Sequence, residues 1–122
     1  MNTARLQFSR IGVLASIAYP AMGLLLWITL IVHFRMGLGY WPESINVEPD
    51  TPFFRMHAGI ARFLLALGPA IFITSVISTL LFLVHPRTRP FARYPALLTF
   101  ACAFVIGIIL VSPRSFLNWW LD

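Results

Sequence analysis

Residues 63–84 read FLLALGPAIFITSVISTLLFLV, 22 positions without one ionisable side chain. At about 1.5 Å per residue, a helix of that length reaches ~33 Å and crosses a hydrocarbon core of ~30 Å. No water in such a core can satisfy the backbone, so a helix is the form that this run takes there. Two more runs have the same character. Residues 11–34 hold 24 positions without Asp, Glu, Lys or Arg, and residues 95–112 hold 18 without a charge. The expected fold is all-α: an integral membrane protein with three transmembrane helices and a short interfacial C-terminal helix.

Composition points the same way. Of 122 residues, 59% are hydrophobic and 11% charged, against roughly 45–50% and 25% in a soluble domain. The mean hydropathy is +0.83. All nine basic residues are arginines, and the net charge is +5. These arginines form no dense run with interleaved aromatics, so no nucleic-acid partner is expected. Cys102 is the single cysteine and lies in an apolar run, which reads as a buried thiol.

The chain divides as one membrane domain, 1–122: a first span over 11–34, an outer loop over 35–51, and a second helix over 52–84 whose lipid-spanning part is 63–84. An inner loop over 85–94, a third span over 95–112 and an interfacial helix over 113–122 complete it. The first run is longer than the ~7–15 residues of a signal-peptide core and has no small-x-small site after it, so it reads as a retained anchor. The N-terminal segment and the loop 85–94 share a side, with Arg5, Arg10, Arg87, Arg89 and Arg93 and no acid. The other side sets Arg35, Arg55, Arg62 and Arg114 against Glu43, Glu48, Asp50 and Asp122. Arginine bias places the N-terminus in the cytoplasm and the C-terminus in the periplasm or outside the cell. The layout is that of a small bacterial inner-membrane protein. Tyr40, Trp41, Phe53, Phe54, Trp119 and Trp120 would form an outer aromatic belt, with Phe8, Phe91 and Tyr94 at the inner interface.

Local signals refine the plan. Thr51-Pro52 is a cap followed by a first-turn proline, so the second helix starts well before its lipid-spanning part. Ser112-Pro113 repeats the pattern. Beyond it, Phe116, Leu117, Trp120 and Leu121 share one helical face, and Arg114, Ser115, Asn118 and Asp122 the other. Pro20 and Pro69 are expected to bend their helices. Small residues recur every four positions at Ala66, Ala70, Thr74 and Ser78, and again at Thr99, Ala103 and Gly107. Shorter rows are Gly12 with Ser16, and Ala15, Tyr19 and Gly23. Such rows let helix backbones approach one another, within the chain or against a partner.

Chemistry has few footholds. The sequence holds no phosphate-binding loop, nucleophile elbow, zinc-protease or CxxC motif, and the span interiors lack the ionisable groups of a proton or ion path. His33 and His57 fall at one depth on adjacent helices, where two imidazoles can ligate haem or a metal. The bland reading has them bonded to headgroups, carbonyls or carboxylates. Arg55, His57 and Arg62 can form an anion or lipid-headgroup site; the plainer reading ties a snorkelling Arg62 to a loop carboxylate. The leading expectation is therefore a non-enzymatic accessory or assembly subunit of a larger membrane complex, acting through helix packing and its outer loop, with membrane lipids and a membrane-protein partner or a second copy as its contacts. A haem- or metal-binding redox subunit and a lipid-headgroup-binding protein are the alternatives.

Overall fold

A computed structural model describes residues 3–41 and 48–122; Glu43 lies outside the described residues, as do the side chains of Arg5 and Phe8. Every regular element among the described residues is helical: α1 (Thr3–Leu38), α2 (Pro52–Ala66), α3 (Gly68–Val84), a 3-10 turn η1 (Arg89–Phe91), α4 (Arg93–Leu110) and α5 (Arg114–Leu121). Three segments are long and apolar enough to cross a membrane: Ser9–Leu38, Pro52–Val84 and Arg89–Leu110. The chain runs up, down and up, so α1 and α4 are parallel and α2–α3 antiparallel to both. Pairing of residues 12 and 27 with 94 and 112, and of residues 19 and 33 with 64 and 57, fixes these directions.

The helix ends follow from local chemistry. Gly39 has φ +76°, a left-handed value that a side chain disfavours, and its N–H reaches the Arg35 carbonyl at 2.9 Å, closing α1. At α2 the Thr51 hydroxyl accepts the Phe54 N–H at 3.2 Å, with Pro52 in the first turn. Ser112 departs from the expected repeat of this cap. Its hydroxyl donates back to the Ile108 carbonyl at 3.0 Å and accepts the Trp27 indole N–H at 2.8 Å. The fully buried Trp27 ring needs an acceptor for its one polar atom, and Ser112 supplies it in place of capping α5.

The two prolines behave differently. Pro20 lies within an unbroken α1. Pro69 divides the second apolar segment, which breaks at Leu67. A proline N–H is absent, so the Leu65 carbonyl has no i+4 donor. Beside the break, the Tyr19 hydroxyl donates to the Leu64 carbonyl at 2.6 Å, a side chain from α1 satisfying backbone at the interruption. The break redirects the segment. The α2 half packs on α1, and α3 packs on α4, which also packs along α1.

The core is concentrated at one end. Trp27, Leu30, Phe34, Phe54, Ala58, Ala61, Phe116 and Trp119 form one buried cluster. There α1 and α2 project past the last turn of α4, and α5 folds back to fill the gap. Phe116 and Trp119 are the buried residues of α5, whereas Leu121 is exposed. The inward face is thus centred on Phe116 and Trp119, with Leu117 and Trp120 of the expected stripe packed partly against the same cluster and Leu121 turned away from it. An aromatic slot between Phe34 and Phe54 draws in Trp119, with ring centroids at 5.1 and 5.5 Å, and this contact outranks the averaged amphipathicity of eight residues. At the opposite end, Thr88 donates to the carbonyls of Phe82 and His85, and Arg89 to that of Leu83. These bonds satisfy the last carbonyls of α3.

Candidate functional site

Three features of the bundle could carry function: a histidine pair, an arginine beside the aromatic cluster, and a small-residue groove.

His33 of α1 and His57 of α2 meet directly, Nδ1 to Nδ1 at 3.2 Å, each half-buried. His57 Nε2 also lies 3.2 Å from Thr29 Oγ1. The Thr29 hydroxyl has one hydrogen, aimed at the carbonyls of Leu25 (2.8 Å) and Leu26 (3.2 Å), so toward His57 it accepts. His57 therefore carries its proton on Nε2, its bare Nδ1 accepts from His33 Nδ1–H, and His33 Nε2 is the nitrogen left without a proton. The pair is a closed hydrogen-bond relay between α1 and α2, flanked by Phe53 and Phe54 at ring centroids of 5.3 and 5.2 Å from His33. The two rings meet by their Nδ1 edges, with centroids 5.5 Å apart and planes tilted by 35°, so each Nδ1 is engaged by the other ring. Among the described residues no three His, Cys, Asp or Glu side chains gather as a metal cluster.

The candidate anion residues are dispersed by their partners. Arg55 is paired with Asp50, and His57 is engaged as above. Arg62 is exposed, and its guanidinium lies over the rings of Trp119 and Trp120, 5.2 and 5.6 Å from their centroids. Of the loop carboxylates within the described residues, Glu48 accepts the Trp119 indole N–H at 3.2 Å and Asp50 pairs with Arg55. Arg62 thus covers a face of Trp119 and Glu48 takes its edge N–H. An arginine face suits an aromatic face, while the indole N–H needs an acceptor once its ring is buried.

The small-residue rows divide between inside and outside. Thr99 makes an interhelical bond to buried Ser75 at 2.8 Å. Cys102 and Val105 continue the inner face of α4, while Ala103 and Gly107 are exposed. On the α2–α3 segment, Ala66, Ala70 and Thr74 are exposed and Ser78 half-buried. Ala70, Thr74 and Ser78, with Ile71, Ser75, Pro95 and Leu98, line an open groove of about 380 Å³. Ser75 escaped the four-residue row because it stands one position beside it. The paired hydroxyl row of Ser75 and Thr79 was the available signal, since a buried hydroxyl between apolar neighbours needs a partner.

No family model matches the chain, and comparison with curated proteins and with solved structures finds no match.

Proposed function

We propose that this protein is a small multi-pass membrane subunit that works by lateral helix packing within a larger membrane assembly, without catalysis of its own. The observation that carries this reading is the open α3 groove of Ala70, Thr74 and Ser78 beside Pro95 and Leu98. Small side chains there let a second helix backbone come close, and close approach is what drives helix association where lipid removes the hydrophobic drive. The chain itself covers little of this segment, with 6% of the most apolar window of Pro52–Val84 buried. In a bacterial inner membrane, where this reading puts the chain, arginine bias supports a cytoplasmic N-terminus and a periplasmic C-terminus.

A photo-crosslinking residue at Thr74 or Ser78, introduced in the native membrane, is expected to trap a neighbouring membrane chain. The same residue at Phe100, exposed on the far face of α4, is expected to trap none. A stable monomer in mild detergent that gives no adduct at either α3 position refutes the reading.

A further inference from the structure

A second cavity lies on a different face from the α3 groove, at the break between α2 and α3. It has a volume of about 390 Å³ and opens between α1, α3 and α4, with Pro20, Phe72, Ile73, Val105 and Ile109 among its walls and Trp120 at one end. That volume is within the range of about 300–1,000 Å³ typical of ligand sites. Its side-chain heteroatoms with hydrogens are the Tyr19 hydroxyl, the Cys102 thiol and the Trp120 indole N–H. Tyr19 is already donating to the Leu64 carbonyl. An occupant of these walls must be apolar, because a polar one would lose its water without replacement.

The charge at the mouth narrows the choice. Arg62 lies over Trp120, which ends the cavity, and stands one turn before Leu65, which lines it. Among the described residues Arg62 has no carboxylate partner. From Arg62 to Val84 the contour is about 33 Å, an upper bound on the rise across the break and close to a ~30 Å hydrocarbon core, which sets the guanidinium near headgroup depth when this segment spans. From Arg62 down to Ile73 the path is ~16 Å, and one leaflet of that core is ~15 Å deep. An apolar slot one leaflet deep with a cation at its top matches one lipid.

We propose that the cavity at the α2–α3 break seats one acyl chain of an anionic phospholipid whose phosphate rests on Arg62. The break makes the slot: α3 leans from α1 onto α4, and Pro20, Gly23 and Gly68 keep its walls thin. This site is independent of the partner groove, so either proposal can fail without the other.

The test uses the full chain, delipidated in mild detergent and given equal amounts of dioleoyl phosphatidylglycerol and dioleoyl phosphatidylcholine, with bound lipid read by native mass spectrometry. The expected result is a one-to-one phosphatidylglycerol adduct favoured about fivefold, the contribution of one interfacial cation. Arg62→Gln is expected to abolish the preference and Arg62→Lys to keep it. Ile73→Trp, at the exposed rim, is expected to remove the adduct while circular dichroism shows an unchanged helix content. Excess inorganic phosphate should leave the adduct in place, which separates a lipid site from a free-anion site. Equal retention of the two lipids by the wild type, an unchanged preference in Arg62→Gln, an unchanged adduct in Ile73→Trp, or displacement by phosphate overturns the proposal.

Discussion

Gly12 allows a sharp test of how α1 and α4 meet. A methyl group placed on its Cα would stand 2.5, 2.8 and 2.9 Å from Cε1, Cζ and Cδ1 of the Tyr94 ring, all well inside van der Waals contact. The ring cannot swing away freely. Arg93 donates to its hydroxyl at 2.8 Å and lies over its face at 4.8 Å from the centroid. Overpacking of this kind costs about 1–3 kcal/mol. Replacing a mid-helix glycine with alanine returns about 0.5–1 kcal/mol in backbone entropy. Gly12→Ala is therefore expected to destabilise the bundle by up to about 2.5 kcal/mol. Gly59 and Gly107 have open space where a Cβ would stand, so Gly59→Ala and Gly107→Ala should stabilise the isolated chain by up to ~1 kcal/mol. The measurement is reversible unfolding in mixed micelles with increasing sodium dodecyl sulfate, followed by tryptophan fluorescence. Tyr94→Ala added to Gly12→Ala should recover part of the loss, because the two changes share one contact. If Gly12→Ala gains stability like the two control positions, the α1–α4 approach described here is wrong.

Other consequences concern the remaining contacts. Trp119→Ala empties the slot between Phe34, Phe54 and Phe116 and should cost about 3–5 kcal/mol, with faster proteolytic cleavage near Pro113 as α5 detaches. Ser75→Ala removes the bond to Thr99 and should cost about 0.5–1.5 kcal/mol in the same micelle titration; no change would mean that Thr99 is satisfied by its bond to the Pro95 carbonyl alone. Nitrogen-15 spectra of labelled histidines near neutral pH should show a protonated Nε2 on His57 and a protonated Nδ1 on His33. The opposite pair of tautomers would break the relay from Thr29.

Much of the helical plan was open to reading in the chain itself. Uncharged runs of 24, 22 and 18 residues leave few alternatives to long apolar helices, because helix length and side-chain polarity are local properties. Thr51-Pro52 marked the true start of α2 for the same reason: a cap and a first-turn proline act within four residues. The nearness of His33 and His57 was also legible, since both lie close to the same inter-helix connection. Their bonding was not, because it depends on helix rotation, which places Thr29 within reach of His57 Nε2 and sets each tautomer. Rotation likewise decided which hydroxyl of α3 turns inward.

Sequence alone determined the number and order of the apolar segments, because those follow from covalent neighbours and transfer energetics. Tertiary structure decided the partners. It gave Glu48 to Trp119 and left Arg62 on the indole faces, took Ser112 for Trp27, and opened a cavity where Pro69 turns α3 away from α1. Each of these outcomes joins residues distant along the chain, and the winner at each position was the buried polar atom or aromatic face with the most to lose by remaining unpaired.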